Sequence, residues 1–460
     1  MISVEEAWQR IEERIEPLAT EQLPLEEAEG FVLAKPVTAP IDLPPFNNSA
    51  MDGYALRAVE TQAASAERPV RLAVAGEVAA GGWQDHPVTP GTAVKIMTGA
   101  PLPPGADAVL MLEDGRLREG AVEIRGPVAA GKHVRHQGED VRQGQALLEP
   151  GLRLNPQRLA LLASAGIREV PVHRRARVSL LATGSELTAP GTALKPGQIY
   201  DSNRIALKTL LKSRFQDPVW KREDPGTRPA QGGATTAYPD GRYAEERQRR
   251  DGPAMGLRSS NEGFEAGSKS GGGTCDDLGV VPDDPAAITK QIRAGLGRDL
   301  LMVSGGVSVG SHDHVKQVLR ELGMETLFWR VAMKPGKPIL CGRLGPTWIF
   351  GLPGNPISCV VGFLVFVEPL IRRLEGEPLA KPRYAKARLT QDLHKKDDRR
   401  HFLTARVSAG DDGFLEAAPT EKQGSAMMQA LAQANAFVVA PEDCSFLPAG
   451  KNVEVLLFGG

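Results

Sequence analysis

Residues 177–374 alternate short apolar runs with segments of helical period, and this alternation restricts the fold more than any other feature of the chain. Val178-Ser179-Leu180-Leu181-Ala182, Leu300-Leu301-Met302-Val303 and Thr347-Trp348-Ile349-Phe350 read as buried strands. Helices are predicted at 202–212 and over the largely apolar 356–374. A third is predicted at 314–322, where Val315, Val318, Leu319 and Leu322 share one face ahead of Gly323. Buried strands separated by helices imply a parallel α/β sheet covered on both faces.

The flanks follow other rules. Ser3-Val4-Glu5-Glu6 is a capping box, and Val4, Ala7, Ile11, Ile15 and Leu18 recur behind it at helical spacing. Over 31–151, β-prone runs such as Ala93-Val94-Lys95-Ile96-Met97 and Ala108-Val109-Leu110-Met111 sit between Pro- and Gly-rich turns. Asn155-Pro156 then opens a helix that should stop at Gly166. After Gly376 short β-runs return, ending in Val453-Glu454-Val455-Leu456-Leu457. The chain has 460 residues, whereas a single core stops growing at about 250–300 residues. It is therefore multidomain, α/β plus β.

Residues 214–276 break the pattern. They lose periodicity and fill with Gly, Arg, Asp, Ser and Pro, a composition that cannot bury enough apolar surface to offset ordering entropy, so disorder is predicted. The stretch is either a surface insertion with a partner or regulatory role, or a product of out-of-frame translation. The second reading draws on the helix before it and on Leu278-Gly279-Val280-Val281 after it, which a short turn and strand should join.

A formal net charge of -1 argues against a nucleic-acid partner, which calls for a basic surplus. Aromatic residues, at 5%, are too sparse for base-stacking platforms. The longest apolar run, 357–367, falls short of the ~20 residues that a membrane span requires. No signal peptide is expected ahead of the first helix. Cys275, Cys341, Cys359 and Cys444 form no C-x-x-C pair and read as incidental thiols of a cytoplasmic protein.

Several loops carry candidate chemistry. Ser304-Gly305-Gly306-Val307-Ser308-Val309-Gly310 follows a buried strand, where small residues let backbone amides approach an anion; a tight turn without ligand is the plain alternative. It is neither a Walker A loop nor a G-x-G-x-x-G fingerprint, so ATPase and dehydrogenase readings lose their main support. Glu186, in Thr183-Gly184-Ser185-Glu186-Leu187, should project at the same sheet edge, or else complement a helix dipole. Asp313 faces the same choice. Lys334-Pro335-Gly336-Lys337-Pro338 and Pro353-Gly354-Asn355-Pro356 are rigid turns. The first brings two ammonium groups together, which suits an oxyanion, although a solvated basic turn would look alike. The N-terminal half offers Asn47-Asn48-Ser49-Ala50-Met51-Asp52-Gly53-Tyr54-Ala55, Ile96-Met97-Thr98-Gly99-Ala100-Pro101 and Arg135-His136-Gln137-Gly138-Glu139-Asp140. Each alone is most simply a polar turn.

Taken in order, NNSAMDGYA, IMTGAP, GED, TGSEL, GQIYDSN, PDDP, SGGVSVG, KPGKP and GLPGNPIS resemble the molybdopterin molybdotransferases, the MoeA-like family that includes the E domain of gephyrin. The resemblance covers the chain except 214–276. It implies an elongated homodimer of four domains: an α/β molybdopterin-binding domain (1–19 plus 172–375), a linker domain (20–40 plus 141–171), a β-rich domain (41–140) and a C-terminal barrel-like β-domain (376–460). It implies cleavage of adenylylated molybdopterin with Mg2+ or another divalent cation, release of AMP and transfer of molybdate to the pterin. An upstream molybdopterin adenylyltransferase and downstream apo-molybdoenzymes are the implied partners.

Carried over by motif, Asp52, Thr98, Arg135 and Asp140 would come from one subunit, and Glu186, Asp283, Asp313, Lys334 and Lys337 from the other. Asp52, Asp140, Glu186 and Asp313 would be catalytic, the last three also metal ligands. Ser202, Ser304, Gly305, Gly306, Ser308, Pro353 and Pro356 fall in the loops that would bind the nucleotide. Lys334 and Lys337 with Ser358, Arg399 and Ser425 resemble the molybdate pocket. Two positions depart from the family: Thr404 replaces an Arg, and Arg330 stands where Lys is familiar. The 214–276 stretch is further expected to replace or displace a sheet strand; were that strand missing, the adjacent site loop would be misplaced and the chain inactive. Rival readings are a competence-damage-type nucleotide pyrophosphatase, which shares the α/β domain, and a gephyrin-like scaffold without activity.

Overall fold

The computed structural model describes residues 1–83, 87–215, 274–307, 314–378 and 380–458, without the side chains of 214 and 215. Most of the stretch expected to be disordered lies outside them. The chain divides into two compact units: Met1–Arg14, Ala176–Pro369 and Lys381–Gly460 form one, Ile15–Arg175 and Leu370–Ala380 the other.

The first unit is built on a six-stranded sheet in the order Thr274–Val281, Arg177–Thr183, Leu300–Ser304, Thr347–Leu352, Leu340–Leu344, Glu325–Trp329. The first four strands are parallel. Glu325–Trp329 runs the same way as these four, and Leu340–Leu344 between them is reversed, pairing antiparallel with both neighbours. The reason is the connection: Leu344 pairs with Thr347 across Gly345-Pro346, too short a link for the crossover that parallel strands require. One correction concerns the edge. The Thr274–Val281 strand begins inside the 214–276 stretch and pairs from Arg177↔Thr274 to Thr183↔Val281, so the sheet does not lack it.

Helices cover both faces. On one, Ile288 and Ile292 of Pro285–Gly295 and Val315, Val318 and Leu319 of Val315–Glu321 pack on Leu301, Val303 and Ile349. On the other, Trp8 of the Val4–Glu12 helix stacks on Phe366 with ring centroids 6.0 Å apart, and its indole N–H donates to the Val365 carbonyl (3.1 Å). Residues 356–374 are not one regular helix: Pro356–Gly362 and Glu368–Leu374 are α-helical, and the fully buried Phe363–Val367 between them forms a π turn. At the N-terminus Ser3 Oγ accepts from the Glu6 N–H (3.0 Å), but Glu6 turns to Arg10 (2.7 Å) instead of completing the box. The helix stops at Glu12, so Ile15 and Leu18 lie beyond it; Pro17 opposes helical geometry in the residue before it.

Arg400–Ala409, Leu415–Pro419, Tyr384–Leu389, Asn452–Leu457 and Ala436–Ala440 close into a five-stranded barrel, because Arg400–Ala409 also pairs with Ala436–Ala440. Its interior is small and apolar, including Ala387, Ala405, Ala417, Ala436, Val438 and Val455, as a narrow barrel requires. The short Met333–Lys334 strand extends from the α/β region onto this sheet, with Lys334 opposite His401.

The second unit holds a six-stranded sheet in the order Ala108–Met111, Gly53–Leu56, Thr92–Ile96, Val70–Val78, Ala121–Ile124, Gly115–Arg118. It also contains the Pro156–Ser164 helix, capped by the Asn155 side chain on the Arg158 N–H (2.9 Å). Among the described residues no helix is long and apolar enough to cross a membrane.

Candidate functional site

The four parallel strands end at one edge, where open α/β sheets bind ligands. The loops that follow them line a cleft of about 560 Å³. Thr183, Gly184 and Glu186 come from the first, Asp283 from the edge strand, Ser304, Gly305, Gly306 and Val307 from the third, and Gly354, Asn355 and Pro356 from the fourth. Residues 199–203 and Ala426 complete the wall.

Local constraints explain the loop sequences. Gly305 (φ +94°) has no room for a Cβ, which would stand 2.4 Å from the Thr183 carbonyl oxygen; on Gly306 (φ +67°) it would stand 2.5 Å from Val315 Cγ2. A Cβ on Gly184 would lie 2.8 Å from both carboxylate oxygens of Glu186, so glycine there lets that carboxylate fold over its own loop. Ser185 and Asp283 hold two loops together reciprocally: the Ser185 N–H donates to Asp283 Oδ2 and the Asp283 N–H to Ser185 Oγ, each at 3.0 Å. Asn203 Nδ2 donates to Ser304 Oγ (3.2 Å) and to the Gly354 carbonyl (2.7 Å). Its Oδ1 and Thr183 Oγ1 are buried with no hydrogen-bond partner among the described residues. Both residues line the cleft, which leaves their oxygens to a ligand or to water.

Charge braces the start of the Asn203–Phe215 helix. Buried Asp201 pairs with Arg204 Nε (2.7 Å), and Arg204 Nη1 and Lys208 Nζ both reach Asp277 Oδ2 on the edge strand (2.7 and 2.9 Å). Burial alone would raise the Asp277 carboxyl, but the bonds from Arg204 and Lys208 outweigh it and hold it below the usual range. Below the cleft Ser304 Oγ lies 3.8 Å from Cys359 Sγ, whose thiol is pushed up to about 12 by burial and is therefore no nucleophile. All four cysteines are free.

A second polar cluster lies where the Met333–Lys334 strand meets the barrel. Arg399 grips Asp397 with Nη2 on Oδ2 (2.8 Å) and Nε on Oδ1 (3.2 Å). His401 Nε2 lies 2.9 Å from Oδ1, and Lys334 Nζ 3.5 Å from Oδ2. The Arg399 bond, with help from His401, holds the Asp397 carboxyl far below the usual range. Burial lowers His401, against the pull of Asp397.

The expected residues thus fall into groups. Glu186, Ser202, Asp283, Ser304, Gly305, Gly306 and Pro356 meet in the cleft, whereas buried Pro353 does not line it. Lys334 and Arg399 are joined through Asp397. Lys337 is exposed; its carbonyl closes the turn by accepting from the Val331 N–H (3.0 Å). Buried Ser358 lies in the first turn of Pro356–Gly362, where the Ser425 carbonyl accepts from the Ile357 N–H (3.1 Å). Thr404 is buried; its N–H donates to Gln423 Oε1 (3.0 Å) and its hydroxyl bonds Thr420 (2.6 Å), fastening the segment that leads to Ser425. Arg330 (φ +72°) lays its guanidinium over the Trp329 ring, 4.0 Å from the centroid.

In the second unit, Asp52 Oδ1 accepts from both the N–H and the hydroxyl of Thr98 (2.7 Å each), which holds its carboxyl below the usual range. Arg135 pairs with Asn48. Asn47 Oδ1 accepts from the Gln137 N–H (2.7 Å) and Asp42 Oδ1 from the Gln143 N–H (2.8 Å), which shapes the loop that carries exposed Asp140. Ser308 and Asp313 lie outside the described residues. No group of three or more His, Cys, Asp or Glu side chains placed to hold a metal occurs among the described residues.

Thr183, Asn203, Gly354 and Asn355 join the cleft without having been given a role, although each lies in a motif that was. Asn203 stands in the GQIYDSN motif, so its signal was present. Asp397 and His401 lie in Lys395-Lys396-Asp397-Asp398-Arg399-Arg400-His401, a charge run that reads as a solvated face.

Known proteins resemble this chain in sequence and in fold. Residues 2–166 match the MoeA N-terminal region (domains I and II), 264–373 a probable molybdopterin binding domain, and 386–458 the MoeA C-terminal region (domain IV). A molybdopterin molybdenumtransferase of Haemophilus influenzae is 34% identical over 99% of this chain and 98% of its own length. Molybdopterin molybdenumtransferase 2 of Mycobacterium tuberculosis is also 34% identical, over 99% of both chains. The crystal structure of a molybdopterin biosynthesis MoeA protein from Pyrococcus horikosii superposes with a TM-score of 0.75 at 32% identity, covering 100% of both chains.

Proposed function

Because the chain belongs to the family of molybdopterin molybdenumtransferases, we propose that it inserts molybdenum into adenylylated molybdopterin and releases AMP. The observation that carries this reading is the cleft at the carboxyl ends of four parallel strands, lined by the Gly305-Gly306 turn, the Glu186 and Asp283 carboxylates and two buried oxygens without a partner among the described residues. The competence-damage-type reading is not favoured, since the match at 386–458 and most of the match at 2–166 lie outside the domain that such a protein would share.

In this reading the anionic linkage of the nucleotide lies across the cleft. The start of the Asn203–Phe215 helix supplies its positive end there. The Gly305-Gly306 turn, which holds no side chain above the backbone, admits the phosphates closely. Asn203 Oδ1 and Thr183 Oγ1 accept hydrogen bonds from the ligand. Lys334, Lys337 and Arg399 attract the molybdate dianion, Arg399 through the fork it now places on a carboxylate.

Magnesium fits the cleft in part. Such an ion is held by one or two carboxylates together with substrate phosphates, and Glu186, folded over Gly184, offers oxygens of the required kind. Asp140 lies in the other compact unit and Asp313 outside the described residues; both remain part of the proposed set. Bound there, the ion would neutralise phosphate charge and acidify a water.

We further propose a homodimer in which Asp52, Thr98, Arg135 and Asp140 are contributed by the partner subunit. The test is AMP release from adenylylated molybdopterin with and without molybdate. Molybdate-dependent release supports the reading, and its absence from well-folded protein refutes it.

A further inference from the structure

Resting on the assignment of Lys334 and Arg399 to oxyanion binding, we propose that Asp397 is a built-in competitor for that site: its carboxylate occupies the cationic cluster until a tetrahedral dianion displaces it. The geometry is that of a bound anion. Asp397 receives both arms of the Arg399 fork (2.8 and 3.2 Å), the His401 ring (2.9 Å) and the Lys334 ammonium (3.5 Å). A forked guanidinium with an ammonium beside it is the arrangement that grips a free oxyanion, and here the chain supplies the anion itself.

The surroundings permit exchange by rotation of one side chain. The buried Lys395 ammonium donates to the carbonyls of Arg399 (3.0 Å), Glu442 (2.9 Å) and Pro441, which fastens the turn on which Asp397 sits. The Asp397 side chain itself is 28% exposed and has solvent to turn into. Glu442, the acidic neighbour on the adjoining loop, is occupied by Arg400 (3.0 Å) and does not share in the cluster. A resident monoanion has a consequence for selectivity. A doubly charged oxyanion gains more from the Arg399 and Lys334 cations than the carboxylate it releases, whereas a monoanion such as chloride or nitrate gains no such margin.

The test is equilibrium binding of inorganic molybdate, with nitrate as competitor, to wild-type protein, Asp397→Asn, Asp397→Glu and Lys334→Ala, each checked for unchanged thermal unfolding. Asp397→Asn should bind molybdate about three- to tenfold more tightly and become sensitive to nitrate. Asp397→Glu, which keeps the charge, should stay near wild type. Unchanged or weaker molybdate binding by folded Asp397→Asn overturns the proposal, because a residue that merely positions Arg399 would behave in that way. Should the Asn variant not fold, Asp397→Ser is read by the same criterion. If Lys334→Ala leaves molybdate binding intact, the oxyanion assignment itself fails and the competitor with it, an outcome distinct from failure at Asp397 alone.

Discussion

Glu186 and Asp52 present themselves in the sequence as equivalents, each a carboxylate within two residues of a glycine in a polar loop. Their surroundings separate them. Asp52 spends one oxygen on two donors from Thr98, which makes it an organiser of the loop as well as a candidate reactant. Glu186 lies over Gly184 and faces the cleft. Glu186→Gln is therefore expected to leave thermal unfolding unchanged while AMP release falls by about 100-fold; a variant with normal turnover would remove Glu186 from the site. Gly305 answers to a steric requirement. Its positive φ, and a Cβ that would sit 2.4 Å from a backbone oxygen, predict that Gly305→Ala costs about 1–3 kcal/mol in stability and abolishes nucleotide uptake. Thermal unfolding with calorimetric titration measures both, and a variant that still binds would show that the turn does not touch the ligand. At this scale the glycines and Glu186 could be read from loop composition. Asp397 could not, because its meaning depends on Lys334, 63 residues away in sequence.

Elements show the same division. The Leu370–Ala380 segment belongs to the compact unit of Ile15–Arg175. It is held there by Glu377, which accepts from Arg372 Nε (3.1 Å) and Arg153 Nη2 (3.1 Å). Burial works against the ionised carboxyl, but Arg372 and then Arg153 prevail and lower it to about 2. A depressed carboxylate contributes stability that is complete above the ordinary value of 4.5 and is lost as pH falls toward about 2. Glu377→Gln should accordingly lower thermal stability at neutral pH and flatten its decline between these limits. Equal slopes for variant and wild type in acid melts would show that the clamp is energetically silent. Helix starts at Ser3 and Asn155 were legible because a cap is a local contract between a side chain and an amide three residues on. The reversed Leu340–Leu344 strand and the π turn at Phe363–Val367 were not, since strand pairing and helical pitch there are set by how the segments pack in the sheet and core.

For the molecule as a whole, the proposed homodimer, with Asp52 from one chain and Glu186 from the other, is open to test by mixing chains. Asp52→Ala and Glu186→Ala should each be inactive alone. Mixed as unfolded chains and refolded together, they should regain roughly a quarter of wild-type activity, since half the dimers are mixed and each has one intact site of two. No recovery from the mixture would place all the groups within a single chain. Length, the alternation of strand and helix, the capping residues and the order of the glycine- and proline-bearing loops were determined by the sequence itself, because periodicity and turn chemistry are local properties of a chain. Only the tertiary structure decided the direction of the Leu340–Leu344 strand, the closure of the barrel, and the meeting of Asp397, Arg399 and His401 with Lys334. Those depend on which backbone hydrogen bonds form between segments far apart along the chain, and a linear pattern carries no coordinate for that.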